Sequence, residues 1–320
     1  MLALDIGATK TLLATWSHSG AADGADAWRR GRSPTIRFPT DRDPERLAAR
    51  IAAEARIIAR DRPIAAVGCA VPGPLDRAKG AIVHSPNLGW HHLPLGELLA
   101  DRLGAPVGLD DDASAGALGE ARYGVGRGAD PFAYLTVSSG IGMGVIVGGR
   151  SLRGAHGLAG EIGHLVVDPS GPRCACGRRG DVEAFAGGRS LARRARAAWP
   201  SATLEDGRSA PRDADGVFWA ARAGDPLAAS LVEEAAQALG LALAAVGAVL
   251  DPAMIAVGGA IGIGRPTLIR RATAIGRRRC IAETGRSLVV VTASLGEESV
   301  LAGAAALGAD LRGRDPLVEA

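Results

Sequence analysis

The chain has 320 residues, 47% of them hydrophobic and 22% charged, with a formal net charge of +3. That length exceeds one typical domain and points to two lobes with a ligand cleft between them. An aromatic content of 3%, and no basic run longer than Arg277-Arg278-Arg279, argue against base-stacking surfaces and a nucleic-acid footprint. Four cysteines, Cys69, Cys174, Cys176 and Cys280, are too few for a disulfide framework and fit a reducing cytoplasm. Asp5 and Lys10 come before any apolar stretch long enough for a signal peptide, and the run from Ala238 to Leu250 is too short to span a bilayer, so neither secretion nor membrane insertion is expected.

Leu2 to Leu4, the stretch Asp5-Ile6-Gly7-Ala8-Thr9-Lys10-Thr11, and Leu12 to Thr15 predict strand, glycine turn and strand. Residues 133–137, the loop around Ser138-Ser139-Gly140, and residues 145–147 predict a second hairpin of the same design, which reads as an internal duplication. Glycine in such turns lets backbone N–H groups approach an anion, and the hydroxyls of Thr9, Thr11, Ser138 and Ser139 add donors. Each turn taken singly is also an ordinary tight hairpin. Lys10 is one of only two lysines, and its compact ammonium suits a phosphate.

Asp43-Pro44-Glu45 predicts a capped helix start, with Leu47, Ile51, Ala55 and Ile58 as the apolar stripe and an end before Pro63. Residues 64–71 predict a buried strand stopping at Pro72-Gly73-Pro74, and residues 85–90 a loop whose Asn87 serves either a ligand hydroxyl or its own turn. Pro106 to Leu109 predicts a strand that delivers Asp110-Asp111-Asp112 to a helix over 113–122. Three adjacent carboxylates repel unless charge, donors or Mg²⁺ compensate, so the cluster reads as functional; the competing reading is that Asp112 caps the helix.

Gly160-Glu161-Ile162-Gly163-His164, then Cys174 and Cys176, then Gly180-Asp181-Val182-Glu183, is the densest chemistry in the chain. Two thiols one residue apart, an upstream imidazole and the Asp181 carboxylate can close a tetrahedral shell on one metal ion. Asp181 as a simple helix cap is the alternative. Glu161 and Glu183 remain for hydroxyls of a polar ligand. Farther on, Asp225-Pro226 opens a long alanine and leucine helix to about Leu250, and a strand at 254–257 runs into Gly258-Gly259, a turn that suits close approach to a flat or phosphorylated ligand.

Together these motifs resemble the ROK family of sugar kinases and sugar-responsive repressors over nearly the whole chain. The resemblance implies an α/β fold of the actin-like ATPase (ribonuclease H-like) type, two duplicated lobes around a central cleft. The expected lobes are residues 1–117 and 118–300, with a helix over about 301–320 packing back on the first. Asp5 to Lys10 is similar to the family's first phosphate motif, with Ala8 where glycine is usual. Thr136 to Gly144 is similar to the second, with Ser138-Ser139 replacing glycine and threonine.

On this resemblance Asp112 would be the catalytic base, a role for which a carboxylate of ordinary pKa suffices because the hydroxyl proton leaves late in phosphoryl transfer. Gly73, Asn87, Asp111, Glu161, His164 and Glu183 would bind sugar. Asp5, Gly7, Thr9, Lys10, Thr11, Ser138, Ser139, Gly140, Gly258 and Gly259 would bind ATP and Mg²⁺. His164, Cys174, Cys176 and Asp181 would hold zinc. Two departures matter: aspartate stands at 111 where the family places asparagine, and at 181 where it places a third cysteine. The implied activity is transfer of the γ-phosphoryl group of ATP to the C6-type hydroxyl of a hexose, glucose first, with N-acetylmannosamine or a cyclitol as alternatives. A non-catalytic sugar-binding protein is the reading from another class. The repressor branch carries a DNA-binding domain ahead of its first phosphate motif; here that motif starts at Asp5, so no nucleic-acid partner is expected. A cytoplasmic homodimer or homotetramer completes the expectation.

Overall fold

In the computed structural model, which describes residues 1–17, 25–201 and 209–313, the first glycine turn folds two apolar runs into an antiparallel pair. These are β1 (Leu2–Ile6) and β2 (Lys10–Thr15), in register from Leu2 opposite Thr15 to Ile6 opposite Thr11. The chain continues through α1 (Ala25–Gly31), β3 (Ile36–Pro39), α2 (Pro44–Ala59), β4 (Val67–Ala70), β5 (Leu75–Asp76), β6 (Ala81–Ser85), β7 (Trp90–Leu93), α3 (Leu95–Leu103), β8 (Val107–Asp110) and α4 (Asp112–Tyr123). The second half runs β9 (Phe132–Val137), β10 (Ile141–Val147), β11 (Arg150–Ser151), α5 (Val182–Ala186), α6 (Gly188–Ala198), α7 (Ala214–Arg222) and α8 (Pro226–Leu250). It closes with β12 (Met254–Gly258), α9 (Ala260–Gly264), α10 (Pro266–Arg279), α11 (Ala282–Ser287), β13 (Val290–Thr292) and α12 (Ser299–Gly313).

Two five-stranded sheets repeat one plan. Their orders are β3-β2-β1-β4-β8 and β11-β10-β9-β12-β13, so in each a run of three consecutive strands is followed, beside its first strand, by two later ones. The duplication expected from the paired hairpins is thus present in the topology. Strands β5, β6 and β7 form a separate three-stranded antiparallel sheet, where the sequence pattern predicts only turn and loop.

The chain divides into two compact units, Met1–Tyr134 with Gly144–Ala159 and Ala293–Ala320, and Leu135–Met143 with Gly160–Thr292. A boundary at residue 117 does not hold, because 117 lies inside the continuous helix α4. Residues 118–134 therefore stay with the first unit. Of the helix expected over 301–320, the part beyond 313 lies outside the described residues.

The core of the first unit is built from Leu2, Leu4, Ile6, Leu13, Leu47, Ile51 and Leu99, all buried. Full burial of one such side chain is worth roughly 1.5–3 kcal/mol. Helix α2 starts as its sequence predicts: Asp43 accepts from the N–H groups of Glu45 and Arg46, and Arg60 ends the helix in a left-handed conformation. The strand expected over 64–71 is only Val67–Ala70.

Helix α12 packs on α4, β4 and β1, and its start is tied to α4 by a carboxylate that sequence reading missed. Glu120 is fully buried. It accepts from the N–H groups of Val125, Ser294 and Leu295 and from the hydroxyls of Ser294 and Ser299. Five donors replace the water that a buried carboxylate would otherwise demand.

In the second unit α8 is the organising helix. It opens on the Asp225 cap with Pro226 in the first turn. At 25 residues it extends well beyond the 238–250 run, and among the described residues it is the one helix that passes for a membrane span by length and composition. Its apolar stretch is 56% buried inside the protein, against α5, α7 and α10, which is how the core helix of a globular unit behaves.

Candidate active site

In the first unit three parallel strand ends set the chemistry. Asp5 on β1 is in register with Ala70 on β4, and Ala70 with Asp110 on β8. The two acids therefore lie in one row with a small residue between them, at the carboxyl ends of the strands, where open α/β sheets bind ligands. The chain leaves β4 into Gly73, at φ 114°, where a Cβ would sit 2.3 Å from the carbonyl oxygen of His84. Asn87 is exposed in the β6–β7 turn.

The turn between β1 and β2 is closed by the Gly7 N–H on the Lys10 carbonyl at 2.9 Å and by the Thr40 hydroxyl on the Gly7 carbonyl at 2.7 Å. Thr9 is exposed. Lys10 is half-exposed, 3.8 Å from Glu297. Thr11 does not present a donor to an anion as expected. It is fully buried, with its hydroxyl 2.9 Å from that of Thr40, so it braces the turn from inside.

At the β8–α4 junction the three aspartates separate into three environments. Asp110 is fully buried; Arg77 reaches its Oδ1 through Nε at 3.0 Å and Nη2 at 2.6 Å, and Arg153 through Nη1 at 3.0 Å. Asp111, not Asp112, is the helix cap: its Oδ1 accepts from the Ser114 N–H at 2.8 Å, while its Oδ2 takes Nη2 of Arg77 at 2.7 Å. Asp112, the first residue of α4, keeps a solvent-accessible side chain whose Oδ1 accepts from the Ala113 N–H. Protein packed around it, then the charges of Asp111 and Asp5, push its carboxyl up to about 7. Crowding and like charge thus lift Asp112 above the ordinary carboxylate pKa that would already suffice for the role read from sequence. Burial likewise raises Asp5 to about 6, against the pull of Lys10.

In the second unit the loop between β9 and β10 is clamped from three sides. Its Ser138 and Ser139 carbonyls accept from the N–H groups of Gly188 and Arg189 at the start of α6. The Ile141 N–H donates to Oε2 of Glu183 at 2.8 Å, and a Cβ on Gly140 would meet that same oxygen at 2.6 Å. Gly259, at φ 81°, turns the chain from β12 into α9 so close to β9 that a Cβ would lie 2.5 Å from the Val137 carbonyl. Ser138, Ser139, Gly140, Gly258 and Gly259 are therefore brought together, with Glu183 beneath the loop.

The same unit gathers His164, Cys174, Cys176 and Asp181, with ligand atoms all within 4.8 Å of one another. Nδ1 of His164 is 3.2 Å from Asp181 Oδ2 and 3.9 Å from Cys174 Sγ, and Cys176 Sγ is 3.4 Å from Asp181 Oδ2. A tetrahedral zinc site with the usual bond lengths has ligand–ligand edges of about 3.3–3.8 Å, so this donor set fits a cation of that kind. Burial works to raise the Asp181 carboxyl; hydrogen bonds from Cys174, the Ala184 N–H, His164 and Cys176 outweigh it and hold the group below the usual carboxylate range. The two readings that sequence left as alternatives for Asp181 are compatible: its Oδ1 caps α5 through the Ala184 N–H at 2.7 Å, while its Oδ2 faces His164 and Cys176. Nε2 of His164 lies 4.0 Å from the exposed Glu161.

This fold, two repeated sheets with acids at the strand ends and glycine-turned hairpins, is that of the actin-like ATPases, and sugar kinases are among the solved structures that share it. The ROK family profile matches residues 1–310, and the chain belongs to the ROK family. A glucokinase from Streptomyces coelicolor is 32% identical over 293 residues, 89% of this chain and 92% of that protein. A glucokinase from Thermotoga maritima is 39% identical over 201 residues, 61% of this chain and 63% of that protein. The crystal structure of a ROK family glucokinase from Streptomyces griseus in complex with glucose and AMPPNP matches with a TM-score of 0.78 at 31% identity, covering 97% of this chain and 99% of that one.

Proposed function

We propose that this protein is an ATP-dependent hexose kinase that transfers the γ-phosphoryl group to the C6-type hydroxyl of a sugar, with glucose as the first candidate. The observation that carries the reading is Asp112, an accessible carboxyl at a strand end with its pKa lifted towards neutrality, in a chain whose relatives include glucokinases along most of its length. A carboxylate tuned near the working pH can orient an attacking hydroxyl and take its proton as the phosphoryl group moves.

In this reading Gly73, Asn87, Asp111, Glu161, His164 and Glu183 line the sugar site, and the glycine hairpins at Gly7 and Gly140, with Thr9, Lys10, Ser138, Ser139, Gly258 and Gly259, cradle the nucleotide. Asp5 would help hold Mg²⁺, which spreads the charge of the phosphate oxygens. His164, Cys174, Cys176 and Asp181 would hold zinc as a structural tie. Asp181 caps α5 and so sets where Glu183 meets the loop. A cytoplasmic homodimer or homotetramer is part of the same proposal.

Coupled ADP release measured across glucose, N-acetylmannosamine, fructose and cyclitols tests the reading. Turnover with one hexose well above the rest is the expected result. Sugar-induced thermal stabilisation with no ADP from any of them would make the protein a silent binder instead.

A further inference from the structure

We propose that Arg77 is a positioning residue of this reaction: through Asp111 it fixes the turn that presents Asp112, and Arg77 with Asp111 works as one unit. Arg77 stands in the turn after β5 and is 33 residues from Asp110 in sequence, yet only 17% of its side chain is exposed. Four of its N–H bonds are directed: Nε and Nη2 onto Asp110, Nη2 also onto Asp111, and Nη1 onto the Gly157 carbonyl at 3.3 Å.

The consequence for Asp111 is geometric. Its Oδ1 holds the Ser114 N–H and its Oδ2 holds the guanidinium, so the carboxylate is pinned at both ends. Asp112 follows directly and is the first residue of α4, so its backbone direction is inherited from that cap. An asparagine at 111 could keep the cap but could not offer Arg77 a charged partner. Asp111 without the arginine is a part-buried carboxylate short of its counter-charge, a cost that an asparagine at 111 would remove, whereas Arg77 without the Asp111 carboxylate still has Asp110. The aspartate at 111 and the arginine at 77 therefore belong together, and only the aspartate was legible in the sequence as a departure from the family pattern.

The test has two arms. Hydrogen exchange at the Ser114 amide reads the cap without any turnover, and Arg77→Gln is expected to speed it at least about tenfold. Arg77→Lys keeps the charge but not the fork, is expected to give a smaller acceleration, and carries this arm if the glutamine variant does not fold. Unchanged exchange in a folded Arg77 variant would overturn the proposal.

The kinetic arm rests on the kinase reading. Arg77→Gln should lower kcat about tenfold or more with sugar KM within about threefold, and adding Asp111→Asn should recover at least about threefold of that loss, since coupled residues are not additive. A double variant no better than Arg77→Gln, assayed well below its melting temperature, would overturn the unit. Absence of sugar-dependent ADP release from the unaltered protein would count against the kinase reading, and Ser114 exchange would still decide the Arg77 inference.

Discussion

The two units solve one structural problem with the same device and different chemistry. In the first, Asp111 caps α4 with one oxygen and gives the other to Arg77. In the second, Asp181 caps α5 with one oxygen and gives the other to His164 and Cys176. Each cap ties a helix start to a second partner, a guanidinium in one case and an imidazole and a thiol of a metal-competent cluster in the other. The helix so fixed carries in its first turn a carboxylate of the proposed site, Asp112 on α4 and Glu183 on α5. The difference lies in exposure and charge. Asp112 sits accessible among other acids, whereas Glu183 is part-buried and already bonded to a backbone N–H. One arrangement suits proton transfer, the other suits holding a loop.

The hardest way to break this contrast is Asp112→Asn. Loss of a general base costs about 10²–10⁴-fold, and we expect kcat to fall about 10³-fold while sugar still stabilises the protein in a thermal shift. The same variant has a stability signature. A carboxyl whose folded pKa is raised disfavours its own ionised form in the folded state, so its presence lowers stability as pH rises from the unfolded value through about 7. Asp112→Asn should therefore melt higher than the unaltered protein at pH 8 and equally at pH 4. Near-normal turnover would remove Asp112 from its role.

A smaller effect follows from the same group by changing pH alone. If the deprotonated carboxylate is the working form, kcat/KM should fall about tenfold per unit below about pH 7. An acid limb near pH 4 would mean that Asp112 titrates as an ordinary carboxylate once substrates are present.

Comparison of the two caps also shows what a sequence can and cannot display. The hairpins around Gly7 and Gly140, the Asp43 helix start, the acid corner at 110–112 and the metal-ligand spacing of 164–181 were legible because each is local: a few residues of the right type at the right interval. Arg77 and Arg153 were not, since they reach Asp110 from 33 and 43 residues away and an arginine in an arginine-rich chain carries no local mark. Glu120 was hidden for the same reason, with four of its five donors more than 170 residues distant. The sheet of β5, β6 and β7 was missed because its strands are short and lack a period of two, with adjacent exposed pairs at Val83-His84 and His91-His92. Thr11 looked like a phosphate donor because its spacing fits, and only burial shows that its hydroxyl turns inward.

The Asp181 cap can be taken apart into its two jobs. Asp181→Asn keeps an acceptor for the Ala184 N–H but removes the charge, so metal content of protein purified without chelators should drop while α5 stays folded. Asp181→Ala removes both and should cost about 0.5–2 kcal/mol more for the cap. Asp181→Cys should raise metal retention, because a thiolate is the better zinc ligand. Equal metal content in all three would mean that the other residues of the cluster, or packing alone, hold this region.

The smallest expected effect is the control for a cap with no second partner of consequence. Asp43 accepts from two N–H groups at the start of α2, and its other contact is an exposed pair with Arg46 at 3.4 Å, of a kind worth ~0–1 kcal/mol. Asp43→Ala should therefore cost about 1 kcal/mol of stability in denaturant unfolding and leave kcat and KM unaltered. If it instead lowers kcat as is expected of Arg77→Gln, then fixing any helix start in the first unit is enough to disturb the acid corner. The special status given to the cap that Arg77 holds would then be lost. If it costs stability alone, the coupling of cap to chemistry is confined to the caps whose second oxygen holds a partner from elsewhere in the unit.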